Sequence, residues 1–209
     1  MSGLTARDVA YWLAREEEIV PTLVDLAGYG FVVDHDCWRR GWTDDPRCLL
    51  RRGAAEALAR AREALPAGCN FKVVDGWRPW GVQQACAEDA EGRIRASHPD
   101  WTEEAIQRQL WTMAPPQRIV PRFGSHRYGG AVDLTVVDTA GRALEMGVPL
   151  NYVEGPEAGL LFYELRDDLR GEDGVFRENR RLLIRALSAA GFEPYLPEYW
   201  HWGYARDLT

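Results

Sequence analysis

The spacing of apolar and polar positions divides this chain into helical and extended stretches. Residues 5–18 are predicted to be helical. Residues 53–65, Gly-Ala-Ala-Glu-Ala-Leu-Ala-Arg-Ala-Arg-Glu-Ala-Leu, are rich in strong helix formers, and Pro66 and Gly68 end them. Phe71-Lys-Val-Val-Asp75 alternates like a short strand that Gly76 and Pro79 stop. Helices are predicted over 80–91 and from Thr102 to Leu110, where Glu103 and Glu104 favour the first turn; Pro115-Pro116 then breaks the chain. Residues 130–137 form the clearest strand, with Val132, Leu134 and Val136 on one face and Ala131, Asp133 and Thr135 on the other. The Gly-rich and charge-rich stretch 140–175 carries a predicted short helix near 157–168. Residues 176–190 place Leu182, Leu183, Ala186, Leu187 and Ala190 at helical spacing before Gly191. A last strand runs from Trp200 to about Arg206. This order lacks regular βαβ alternation. It predicts an α+β fold, a single domain over 1–209 with a central antiparallel sheet flanked by helices.

Composition narrows the function classes. A chain of 209 residues that is 46% hydrophobic and 27% charged suits one globular domain. The net charge of −7 argues against a nucleic-acid partner, as does the scatter of arginines among acids. The short runs Arg39-Arg40, Arg51-Arg52 and Arg180-Arg181 are expected on solvated faces. No apolar stretch approaches the ~18 residues of a membrane span, and the N-terminus lacks a secretory apolar region, so no membrane partner is expected and the expected location is cytoplasmic. Cys37, Cys48, Cys69 and Cys86 form no C-x-x-C pair and are expected as reduced, mostly buried thiols.

Two segments carry candidate chemistry: Gly124-Ser-His126-Arg-Tyr-Gly129-Gly-Ala131-Val-Asp133 and Pro197-Glu198-Tyr-Trp-His201-Trp-Gly203. Asp133 interrupts an apolar strand, where a carboxylate is costly unless paired or coordinated. His126 precedes it across Gly129-Gly130, whose backbone freedom lets His126 return to the Asp133 face. In a strand His201 shares its face with only Gly203 and Ala205, while Trp200, Trp202 and Tyr204 load the other. A bare face beside a histidine suits a pocket floor. Two imidazoles and one carboxylate meet the ligand count of a catalytic zinc site that keeps a position for water. Glu198, in the turn after Pro197, is placed to act as a general base. Taken singly, each histidine also reads as a hydrogen-bonded loop residue and Glu198 as a surface acid. Arg78, held extended by Pro79, offers a fork for a carboxylate or an oxyanion, or equally a surface salt bridge with Asp75. Asp34-His35-Asp36-Cys37 and His98 read as polar loops, and the nine tryptophans as core or pocket wall.

These residues resemble the D-alanyl-D-alanine dipeptidase family, the vancomycin-resistance type within the zinc D,D-peptidase superfamily. Its motif Ser-x-His-x-x-Gly-x-Ala-x-Asp is matched by His126, Gly129, Ala131 and Asp133. Its Glu-x-Trp-His is matched by Glu198, Trp200 and His201, and its Asp-Gly-aromatic-Arg-Pro element by Asp75, Gly76, Trp77, Arg78 and Pro79. Asn179-Arg-Arg-Leu-Leu183 and Ala190-Gly-Phe192 are also similar. The likeness runs from about 71 to 207; residues 1–70 and 80–120 are less clearly similar. It implies one zinc per chain held by His126, Asp133 and His201, Glu198 as the base that also returns the proton, Arg78 beside the developing oxyanion, and a small D-amino-acid dipeptide as substrate. The motif's first residue is Gly124 here, and Ser125, one place on, is the candidate substrate-binding hydroxyl. Two other readings of the same residues are a D,D-carboxypeptidase or peptidoglycan peptidase, and a zinc-binding module without catalysis.

Overall fold

The computed structural model describes residues 17–113 and 124–205, with positions 10 and 14. Of the helix predicted over 5–18, positions 10, 14, 17 and 18 are helical; the rest lies outside the described residues, as do Pro115-Pro116 and Arg206. A five-stranded sheet is ordered β2-β4-β5-β7-β6. Its strands are β2 (Val32–Val33), β4 (Asn70–Asp75), β5 (Ala131–Val137), β6 (Glu193–Pro194) and β7 (His201–Gly203). A separate antiparallel pair joins β1 (Leu23–Asp25) to β3 (Leu49–Arg51). The helices are α1 (Asp36–Arg39), α2 (Arg52–Glu63), α3 (Trp80–Ser97), α4 (Glu103–Met113) and α5 (Asp173–Ala189).

The α+β assignment holds, with one departure from an antiparallel sheet. Edge strand β2 runs parallel to β4, pairing Val32 with Lys72 and Val33 with Val73. The intervening segment contains α1, β3 and α2, long enough for the crossover that parallel strands need. The helices predicted over 53–65, 80–91, 102–110 and 176–190 are found with shifted ends, α3 extending to Ser97 and α4 to Met113. Thr102 caps α4, its hydroxyl oxygen accepting the Ala105 N–H at 3.3 Å.

The strand β5 lies at the centre of the sheet and is buried at all seven positions, so both of its faces are covered. Val132, Leu134 and Val136 join Phe71, Val73, Trp202, Leu58, Leu183 and Leu187 in one apolar core. The small-residue face of α2, Gly53, Ala54, Ala57 and Ala61 around Leu58, lets that helix pack closely. The same register sets up the site. Asp75 pairs with Asp133 and Asp133 with His201, so three polar residues stand in one row across β4, β5 and β7. An irregularity between Val73 and Asp75 brings Asp75 into that row.

The helix predicted near 157–168 is absent. Only Pro156–Ala158 forms a single 3-10 turn, followed by turns. Two carbonyls of this stretch accept from a side chain of α5. Arg180 of α5, buried, donates from Nη2 to Glu157 O at 2.7 Å and from Nη1 to Gly159 O at 2.5 Å, while its Nε and Nη2 reach Met146 O. The arginine runs are therefore not wholly solvated: Arg180 and Arg51 are both buried. Arg51 Nη2 donates to Tyr204 O at 3.1 Å, tying β3 to the segment after β7. Among the described residues no helix is long and apolar enough to cross a membrane.

Candidate metal centre

His126 opens a 3-10 turn, His126–Tyr128, that Gly129 closes in the left-handed conformation at φ 62°. This turn folds the histidine back over β5. Its Nδ1 donates to the Gly76 carbonyl at 2.5 Å, which fixes the ring and turns Nε2 inward. His201 begins β7, and Asp133 lies opposite it in the register.

Three ligand-type side chains converge here. His126 Nε2 lies 3.2 Å from His201 Nδ1 and 3.2 Å from Asp133 Oδ2, and His201 Nδ1 lies 3.1 Å from Asp133 Oδ1. Ligands on a tetrahedral ion with bonds of about 2.0–2.1 Å stand about 3.3 Å apart, so this triangle fits a small divalent cation. The protonation states agree. Burial alone would raise the Asp133 carboxyl, but His126 and Arg78 and the hydrogen bonds from both histidines outweigh it and hold it well below the carboxylate range. Burial lowers the His201 imidazole below its ordinary value, favouring the neutral ring that can ligate.

Glu198 occupies the turn before β7, where its N–H donates to Tyr195 O and its carbonyl accepts from His201 N. This turn, which Pro197 enters, puts its Oε2 3.8 Å from His201 Nδ1, beside the triangle and not within it. Burial, then the nearby Asp133 charge, push the Glu198 carboxyl well above the usual carboxylate range.

Both sequence readings of Arg78 meet in one group. Its Nε donates to Asp75 Oδ2 at 2.7 Å and its Nη2 to Asp133 Oδ2 at 2.5 Å, but the pairing is largely buried and not at the surface. Its backbone N–H donates to His126 O and its carbonyl accepts from buried Arg127 Nη1 at 2.7 Å. Burial would raise the Asp75 carboxyl, yet the Arg78 charge, the His35 contact and His126 bring it down to about 2. Ser125 is half-buried at the start of the 3-10 turn, its carbonyl accepting from Tyr128 N and Gly130 N. Gly124 packs on Gly203, where a Cβ on Gly203 would lie 2.6 Å from Gly124 O.

Three supporting features escaped the sequence reading. The Gly76 carbonyl orients His126, Arg127 braces Arg78, and the His35–Cys37 segment is not a polar loop: both residues are buried against Asp75. Arg127 lies inside a motif already singled out, but nothing local marks it as buried. His98, by contrast, is a loop residue, stacked on Trp101. Gly76 is needed for close approach, because a Cβ there would lie 2.2 Å from Leu49 O, whose backbone accepts the Trp77 N–H. Gly76→Ala is expected to cost about 1–3 kcal/mol in denaturant unfolding; an unchanged midpoint would refute this packing argument.

Comparison with known proteins bears on this geometry. Residues 35–208 match the Peptidase_M15 family model, described as D-ala-D-ala dipeptidase. The chain is 30% identical over 159 residues to a D-alanyl-D-alanine dipeptidase of Escherichia coli (strain K12), covering 74% of this chain and 66% of that protein. It is 24% identical over 176 residues to a D-alanyl-D-alanine dipeptidase of Synechocystis sp. (strain ATCC 27184 / PCC 6803 / Kazusa), covering 77% and 70%. The chain thus spans about two thirds of the length of these relatives.

Proposed function

The chain belongs to the D-Ala-D-Ala dipeptidase family of M15 peptidases, and from that premise we propose that it hydrolyses D-alanyl-D-alanine or a similar D-amino-acid dipeptide, using one zinc ion. The observation that carries this reading is the triangle of His126 Nε2, His201 Nδ1 and Asp133 with a buried carboxyl, Glu198, just outside it. Zinc held by His126, Asp133 and His201 would supply a Lewis acid that polarises the scissile carbonyl and acidifies water.

In this reading Glu198 moves the proton. Its carboxylate takes one from the attacking water and passes it to the leaving amine. The raised affinity of Glu198 for a proton has burial as its first cause and the Asp133 charge as its second. A cation bound to Asp133 would offset the second. Arg78 keeps Asp133 ionised and in place. Its remaining N–H donors are this chain's own positive charge for the oxygen that becomes negative. Ser125, half-buried next to His126, is the proposed hydrogen-bonding contact to the dipeptide.

The test is to incubate the zinc-loaded protein with D-Ala-D-Ala and follow free D-alanine, with and without a chelator. Chelator-sensitive release is expected. A protein that carries zinc at this site but releases nothing would overturn the dipeptidase reading. Release from an N-blocked peptide in preference to the free dipeptide would replace it with a D,D-carboxypeptidase.

A further inference from the structure

A second group of metal-ligand types lies behind Arg78, apart from the triangle. Two segments build it. His35 precedes α1, Cys37 lies in α1, and Asp75 ends β4. All three are buried, and their ligand-type atoms all lie within 4.8 Å of one another. Cys86 of α3, half-buried, places its Sγ 3.9 Å from Cys37 Sγ.

Hydrogen bonds account for the thiols and the carboxylate of this group but not for the buried His35 ring. His35 Nε2 stands 3.7 Å from Asp75 Oδ1, too far for a hydrogen bond. His35 Nδ1 is buried with no partner, so the ring gains little for its burial. Cys37 Sγ donates to Asp75 Oδ2 at 2.9 Å, and Asp75 Oδ1 also accepts the Gly76 N–H. The sulfur separation suits ligands around an ion. Two thiolates on tetrahedral zinc at about 2.3 Å stand about 3.8 Å apart, close to the observed sulfur separation. A nitrogen, a carboxylate oxygen and two sulfurs make a borderline-soft donor set of the kind zinc takes.

We propose that His35, Cys37 and Asp75, with Cys86 as the fourth donor, form a second zinc-type site that ties α1 and α3 to the end of β4. Binding releases the two thiol protons to solvent. Two thiolates, one carboxylate and a divalent ion leave a net single negative charge, and Arg78 Nε, 2.7 Å from Asp75, offsets it. Four protein donors close the coordination sphere, so the site is structural and leaves no position for substrate. Its role is to fix Asp75, and through it the guanidinium that reaches Asp133.

The donor sets separate the two sites spectroscopically, because the triangle has no sulfur. The full chain, purified with a thiol reductant, is loaded with Zn2+ for metal analysis and with Co2+ for absorption. About two equivalents of metal per chain and a thiolate-to-cobalt charge-transfer band are expected. Cys37→Ser and Cys86→Ser should each lose the band and about one equivalent. His126→Ala/His201→Ala should lose the other equivalent and keep the band. If Cys37→Ser does not fold, Cys86→Ser carries the test, since its side chain is only half-buried. One equivalent with no thiolate band in the parent overturns the proposal. So does a Cys37–Cys86 disulfide, read as two missing thiols after denaturation without reductant. Neither result depends on peptide hydrolysis, so the dipeptidase reading stands or falls separately.

Discussion

Glu198→Gln is expected to keep its metal and to lower kcat by about 10²–10⁴-fold. The substitution is close to isosteric. Glu198 is buried and lies 3.8 Å from His201 Nδ1, outside the three donors, so an amide fits the same space and removes no ligand. What it removes is the ability to accept and return a proton. The stability of the metal-free protein separates this from damage to the fold. An acid whose folded pKa is raised binds its proton more tightly in the native state. It therefore costs stability as pH rises above its unfolded value of 4.5. Glutamine lacks that cost, so the apoprotein variant should melt no lower than the parent at neutral pH. A variant with parental zinc content and parental turnover would sink the assignment of Glu198 as the base.

Asp133→Asn is expected to abolish activity at stoichiometric zinc, by loss of the metal and not of the base. Zinc affinity should fall by more than the roughly 10–100-fold that follows removal of a mere supporting hydrogen-bond partner. Asparagine keeps the shape but offers no charge to the two imidazoles or to Arg78 Nη2. The variant also has a signature in pH. Burial raises the Asp133 carboxyl, but His126, Arg78 and the histidine hydrogen bonds depress it further, so its folded pKa lies below the unfolded value of 3.8. Its contribution to stability is then present above 3.8 and lost as pH falls toward the folded value. Thermal unfolding of the metal-free proteins should show a shallower acid-side decline in Asp133→Asn than in the parent. Equal slopes would mean that Asp133 is not held ionised by this network.

The main features of the centre were legible because each left a local contradiction in the sequence. Asp133 sits in an apolar strand, His201 sits on a bare strand face, and Glu198 follows a proline at a strand entrance. Their convergence rests on the register of β5 with β7. Other features left no local trace. Asp75 looked like a surface partner for Arg78 because its burial depends on the irregular pairing of β4 with β5. His35 and Cys37 looked solvated because the carboxylate they face lies some forty residues away. Arg180 and Arg51 looked exposed because carbonyls from distant segments receive them. In place of the helix expected at 157–168 stand turns, two of whose carbonyls receive the distant Arg180. The parallel edge strand is two residues long, too short for any period to show.

The single row of Asp75, Asp133 and His201 across three strands has a consequence for the chain as it folds. Slipping β7 by one residue would put Trp202 where His201 belongs, because strand faces alternate. A misregistered chain thus cannot assemble the donor triangle. A cation bound by the triangle would discriminate between native and near-native chains, adding RT ln(1 + [L]/Kd) of stability to the native one alone. The ion would then serve as a proofreader of strand alignment before it serves in any reaction.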